Sequence, residues 1–260
     1  MPLDLVTIPC LSDNYAFLIH DAESGDTAVI DVPEAAPILA ALRQRGWTLS
    51  QILLTHHHAD HIQGVADLRA ATGARVAGNA ADAHRLPPLD LALQEGQTVQ
   101  VGTEAGTVID VSGHTLGHVA FHFPASALVF TADSLMACGC GRLFEGTGPQ
   151  MWTSLSKLAQ LPPETLVCSG HEYTASNACF ALSLDPDNPA LISRAEAIAE
   201  ARRRGQPTVP SRLSDELATN PFLRAGHPQM KARLGLADAS DAAVFTEIRA
   251  RKDRFPANVP

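Results

Sequence analysis

The 260-residue chain is short of cysteine and of basic charge, and each shortage removes a class of function. Its five cysteines (10, 138, 140, 168 and 179) are sparse and odd in number, which excludes a disulfide framework and predicts a reducing, cytoplasmic setting. No stretch reaches the ~20 apolar residues of a membrane span. The opening MPLDLVTIPCLSDNY has no basic segment followed by an apolar one, so no secretory signal is expected. Lys and Arg number 19 against 28 Asp and Glu, a net charge of −9, which argues against nucleic acid as a partner. A GxSxG elbow, a phosphate-cradling glycine loop and a dinucleotide fingerprint are also missing.

What is present is an ordinary globular composition, 45% hydrophobic and 18% charged. Strands are predicted at 5–8, 15–19, 27–31, 51–55, 98–101, 107–111, 119–123, 128–132 and 165–168, all rich in Val, Ile, Phe and Thr and bounded by turn residues. Apolar residues at three- and four-residue steps predict helices at 34–45, 61–72 and 150–160, with Gly46 and Gly73 as stops. Two sheets covered outside by helices is the arrangement this alternation suggests. After about residue 175 the strand signal ends; 189–204 and 241–254 read as helices around a loop at 205–211. Two parts are therefore expected, 1–175 and a small helical 176–260.

The chemistry is concentrated in LLTHHHADH (53–61), where an apolar strand runs into four histidines and an aspartate. On a strand-to-helix turn, His56 and His58 point one way, while Asp60 and His61 turn toward a neighbouring point. Imidazole with carboxylate suits zinc, iron or manganese. The pattern then recurs: VIDV runs into Ser-Gly-His114, LVFTA into Asp133, and TLVC into Ser-Gly-His171. Strand ends are where a rigid sheet displays functional groups. Seven ligands result, His56, His58, Asp60, His61, His114, Asp133 and His171, enough for two divalent ions if Asp133 bridges. Such ions generate hydroxide at neutral pH, so hydrolysis is the expected chemistry, with Asp60 and Asp133 as its catalytic carboxylates. His57 is expected to point away from its neighbours. His118 either orients a ligand or packs, and Cys138 and Cys140 read as small packing residues.

These motifs resemble the metallo-β-lactamase superfamily, whose HxHxDH is met at 56–61, and within it the glyoxalase II branch, the hydroxyacylglutathione hydrolases. IPCLSDNYAFLI (8–19), SGHTLGHVAF (112–121), FTADSLMACGCGRLFEGT (130–147), SGHEYT (169–174), NPFLR (220–224) and IRARKDRF (248–255) carry the branch-level resemblance almost end to end. The resemblance implies an α/β fold, a four-layer αββα sandwich followed by a helical substrate-binding domain. It implies two divalent metals, zinc first, with iron or manganese as alternatives. His56, His58 and His114 would hold one, Asp60, His61 and His171 the other, and Asp133 both. The implied substrate is a glutathione thioester, typically S-D-lactoylglutathione, cleaved by a bridging hydroxide in methylglyoxal detoxification. Arg142, Phe144, Tyr173, Arg249 and Lys252 would recognise glutathione, on a monomer with no membrane partner. Arg249 and Lys252 are three apart, hence on one helix face, where they can grip a carboxylate. Arg142, Phe144 and Gln63 depart from the family's usual lysine, tyrosine and small residue.

Overall fold

A computed structural model describes residues 1–256; residues 257–260, the end of the expected helical part, lie outside the described residues. The chain forms two compact units, Met1–Val111 with Gly117–Ala132, and Ser112–Leu116 with Asp133 onward.

In the first unit, β1 (Asp4–Cys10), β2 (Asn14–His20), β3 (Thr27–Ile30), β4 (Gln51–Leu53), β5 (Arg75–Asn79) and β6 (Leu91–Leu93) form one sheet in chain order. The first three strands pair antiparallel and β3 to β6 run parallel. Parallel neighbours need crossover connections. These are α1 (Ala35–Arg45) between β3 and β4, and α2 (Ala59–Ile62) with α3 (Val65–Thr72) between β4 and β5. A second group, β7 (Thr98–Val101), β8 (Glu104–Asp110), β9 (Val119–Phe123) and β10 (Leu128–Ala132), is an antiparallel meander.

The pleat of β2 explains its unbroken apolar run, since all seven of its residues are buried. Ala16 and Leu18 join Val29, Ile52, Leu54 and Val76 of the sheet, with Ile38, Leu42, Val65 and Leu68 of the helices, in one core cluster. On the other face Phe17 meets Phe130 of the meander, ring centroids 5.6 Å apart. Helices, sheet and meander are thus layered within this unit.

One register sets up the chemistry. Ile30 stands opposite Leu53 in the parallel β3–β4 pair, so Asp31 and the Leu54-Thr55-His56 run leave the sheet at the same carboxyl edge. The continuous helix expected at 61–72 is instead two helices broken at Gln63-Gly64. There the chain presses on the loop after β3: the Gly64 N–H donates to the Val32 carbonyl at 3.0 Å and the Val32 N–H to the His61 carbonyl at 2.7 Å. Gln63, the unusual residue here, donates from its amide to the Pro33 carbonyl at 3.1 Å.

The second unit holds a hairpin of β11 (Leu135–Met136) and β12 (Gly139–Cys140), and the β13 (Leu166–Ser169)–β14 (Ser211–Arg212) pair. Its helices are α4 (Gly148–Leu158), α5 (Thr174–Leu184), α6 (Pro189–Arg203), α7 (Leu213–Thr219), α8 (Pro228–Leu234) and α9 (Asp241–Arg254). A capping box between Thr147 and Gln150, with Pro149 in the first turn, starts α4. Phe180, Phe222 and Phe245 form its aromatic core, with successive centroids 6.1 and 5.6 Å apart.

The hairpin, which directly follows Asp133, is fastened from the helices. Glu216 accepts from the Cys138 N–H at 2.8 Å, Asn220 donates to the Met136 and Gly139 carbonyls at 3.1 and 2.9 Å, and Asn177 donates to the Ala137 carbonyl at 3.1 Å. The fully buried Glu216 is charge-paired with Arg194. All five cysteines are free, and four are buried. Burial pushes the thiols of Cys10 and Cys140 up to about 11 and that of Cys138 up to about 12, and Cys168 is raised further by burial alone.

A methyl group on Gly64 would sit 2.8 Å from the Ala35 nitrogen and 2.9 Å from the Val32 side chain. Gly64→Ala is therefore expected to cost about 1–3 kcal/mol through overpacking, read as a Tm lowered by several degrees in thermal unfolding.

Candidate functional site

The first unit assembles His56, His58, Asp60 and His61 at the carboxyl edge after β4. Asp31, buried and in the left-handed region at φ 57°, organises them. One of its oxygens accepts from the Thr55 N–H at 2.8 Å; the other accepts from the Thr55 hydroxyl at 2.7 Å and faces His61 Nδ1 at 2.8 Å. A carboxylate accepts only, so His61 is protonated on Nδ1 and turns the lone pair of Nε2 outward. The Thr55 hydroxyl donates its one hydrogen bond to Asp31 and so accepts from His56 Nδ1, 3.0 Å away. His56 is thereby locked in the same tautomer.

The freed nitrogen of His56, Nε2, lies 3.1 Å from His58 Nδ1. Two nitrogens bound to one tetrahedral zinc at ~2.0–2.1 Å are about 3.3 Å apart, so this spacing fits the edge of a coordination shell. His61 Nε2 stands 3.8 Å from the Asp60 carboxylate. Asn14 donates to that carboxylate and to the Asp60 carbonyl, both at 3.1 Å. His57 turns away to Asp82 at 3.1 Å, as expected. His118 is buried and stacks on His56 with centroids 4.5 Å apart, so it packs against that imidazole.

The second unit assembles His114, Asp133 and His171. His114 Nδ1 donates to the Arg142 carbonyl at 2.8 Å, which leaves a lone pair on Nε2. That Nε2 and His171 Nε2 each lie 3.4 Å from the same Asp133 oxygen, Oδ2. A carboxylate oxygen and an imidazole lone pair repel one another unless a cation lies between them. The donor chemistry of both sets fits divalent metal ions.

The residues expected to recognise substrate all lie in the second unit. Phe144, 60% exposed, stands edge-on to His114 at 5.3 Å, and Tyr173, 41% exposed, stacks on His171 at 4.7 Å. The Arg142 guanidinium lies over Phe144 at 5.9 Å. Arg249 is buried and donates to the Cys140 carbonyl at 2.9 Å and to Asp253 at 2.9 Å. Lys252 donates to the Ser176 carbonyl at 3.2 Å, and burial, then the charge of Arg249, lower its pKa to about 8. Sequence reasoning missed Asp31, Thr55, Asn14 and Asp82. Asp31 carried a readable signal, for it follows TAVI as Asp133 follows LVFTA.

Comparison with known proteins bears on both units. The family model described as "Metallo-beta-lactamase superfamily" matches residues 13–171, and "Hydroxyacylglutathione hydrolase C-terminus" matches 172–255. A hydroxyacylglutathione hydrolase of Cereibacter sphaeroides is 70% identical over 98% of this chain and 100% of its own. Among solved structures, ETHE1 from Myxococcus xanthus aligns at TM-score 0.69 with 25% identity, over 99% of this chain and 93% of its own. A protein solved in a di-iron-bound form is 34% identical over 65% of this chain and 91% of its own, at TM-score 0.54. The α/β metallo-β-lactamase fold and its helical C-terminal extension are thereby established, as expected.

The Asp31 relay makes a demand on metal binding. Thr55→Val removes the acceptor for His56 and one donor to Asp31, and is expected to weaken metal affinity about 10- to 100-fold in a chelator competition titration, with the fold retained.

Proposed function

This chain belongs to the hydroxyacylglutathione hydrolase family of the metallo-β-lactamase superfamily, and on that premise we propose that it hydrolyses S-(2-hydroxyacyl)glutathione thioesters, typically S-D-lactoylglutathione, to the hydroxy acid and glutathione. The observation that carries this reading is the tautomer pattern: acceptors hold the Nδ1 protons of His56, His61 and His114, so each presents a lone pair at Nε2. His56, His58 and His114 would hold one ion, Asp60, His61 and His171 a second, and Asp133 both. Zinc is the first choice, and the di-iron form of a relative supports iron as the alternative.

Divalent ions held by these sets would supply a hydroxide at neutral pH and would polarise the thioester carbonyl. The chain's own groups do the rest. Asp60, held at its carboxylate by the Asn14 amide, orients the proton of the attacking water. Asp133 gathers His114 and His171 on one oxygen and keeps them in register. The leaving group is a thiolate, whose conjugate acid titrates near ~8.5, so it departs without a general acid. The absence of a further acid–base pair from the ligand motifs agrees with this.

The same reading gives Phe144 and Tyr173 the flanks of the glutathione moiety, and Arg142, Arg249 and Lys252 the charge that attracts its carboxylates. It assigns catalysis to 1–175 and substrate recognition to 176–260 together with Arg142, Phe144 and Tyr173, in a cytoplasmic monomer. Among the described residues no helix is long and apolar enough to cross a membrane.

Loss of the thioester absorbance of S-lactoylglutathione, with metal content measured on the same sample, tests the reading. Asp133→Ala is expected to reduce turnover at least ~10³-fold and to lower bound metal from about two ions per chain toward one or none; full activity in that variant would refute it. Lys252 adds a pH dependence. Its ammonium is the form that binds a carboxylate, and it loses its proton as pH rises through about 8. KM for the anionic thioester should therefore be flat below that pH and climb above it, and Lys252→Arg should postpone the climb beyond pH 10, read from KM against pH at fixed ionic strength.

A further inference from the structure

The three cations assigned to glutathione are not equivalent, and the difference turns on a carboxylate that the proposed function does not use. Asp253 lies one residue past Lys252 on α9. Its Oδ1 accepts from Arg249 Nε at 3.2 Å and Nη2 at 2.9 Å, and stands 3.6 Å from Arg142 Nε. Arg249 reaches it from the interior: its side chain is 7% exposed, its Nη1 is bound to the Cys140 carbonyl, and its guanidinium lies 5.2 Å over Phe222. Arg142 reaches it from solvent, 59% exposed, through one long contact. Asp253 is therefore anchored on one side and loosely engaged on the other. Withdrawing Arg249 would strand buried donors, while swinging Arg142 away breaks only an exposed ion pair.

We propose that Asp253 is a specificity-determining residue, an internal carboxylate that occupies Arg142 until a carboxylate of the glutathione moiety replaces it. This rests on the glutathione-thioester reading above, which supplies the anionic ligand. Arg249 is then a positioning residue. It fixes Asp253 from behind and, through the Cys140 carbonyl two residues before Arg142, fixes the backbone from which Arg142 projects. The arrangement discriminates by charge. A thioester carrying a carboxylate compensates Arg142 for the lost Asp253 contact; an uncharged thioester does not, and leaves the internal pair closed. Lys252 is not part of the Asp253 pair: its nitrogen donates to the Ser176 carbonyl and lies 5.3 and 5.6 Å from the ring centroids of Phe180 and Phe255.

The test separates binding from turnover. S-methylglutathione, which has no thioester to cleave, and its dimethyl ester are titrated calorimetrically into the metal-loaded wild type, Asp253→Asn, Arg142→Ala and the double variant. Asp253→Asn keeps an oxygen for Arg249 but removes the competing charge. It should bind S-methylglutathione about 1.4- to fivefold more tightly than wild type, the range that exposed ion pairs of ~0.2–1 kcal/mol allow. Affinity for the diester should be unchanged, and in the Arg142→Ala background Asp253→Asn should no longer tighten binding. Weaker or unaltered binding in Asp253→Asn, equal effects on acid and ester, or tightening that persists without Arg142 would each overturn the proposal, as would absence of binding to the wild type. Thermal unfolding of each variant identifies a general loss of structure, which would count as the bracing role for Arg249 and against exchange. Failure of the hydrolase reading would look different: binding would follow this pattern while wild type left S-lactoylglutathione uncleaved.

Discussion

The carboxylate of Asp31 is the point at which fold and chemistry are joined. It is nearly inaccessible to water, and a buried carboxylate must be met by donors. Three meet it: the Thr55 N–H, the Thr55 hydroxyl and His61 Nδ1. Because these donors come from the segment that follows the neighbouring parallel strand, the pairing of Ile30 with Leu53 is what makes the contact available. A shift of one residue would carry Asp31 to the other face of the sheet and leave two imidazoles without a fixed tautomer. The sheet register and the tautomers of His56 and His61 are thus one constraint.

The second unit solves the same problem without a parallel sheet. His114, Asp133 and His171 come from three short segments, and backbone contacts with the helices hold the hairpin behind Asp133. Close packing leaves no room for a side chain at Gly141, where a Cβ would fall 2.8 Å from His114 Nδ1 and closer still to the Asp133 carbonyl. The helical part therefore braces the segment that carries Asp133. Glu216, Asn177 and Arg249 each take one backbone group of the hairpin between Asp133 and Arg142, and Asn220 takes two.

Much of this was legible from residue types. Nine strands are legible because their Val, Ile and Phe runs end in turn residues, and α9 is legible from 241 to 254 because its polar and apolar residues alternate at helical spacing. The ligand pattern stood out because apolar strands ended repeatedly in a single His or Asp. What escaped notice had weak local signals. β5, RVAGN, ends in small and polar residues and β6, LAL, is only three residues long; both become strands by completing the parallel edge. α5 is apolar nearly all round, so it shows no stripe to read. The break at Gly64 depends on a contact with Val32, distant in sequence, and the burial of Arg249 depends on Asp253 and the Cys140 carbonyl. An arginine on an amphipathic helix gives no sign of which side it serves.

The buried cysteines have a consequence for life among small sulfur compounds. Exchange with a disulfide requires the attacking sulfur to be ionised and reachable. Cys10, Cys138, Cys140 and Cys168 are neither, since they are shielded within the packing and held protonated well above neutrality. A catalyst that discharges glutathione at each turnover therefore keeps these four sulfurs out of mixed disulfides with its own product, and oxidation of the surrounding pool leaves them chemically silent.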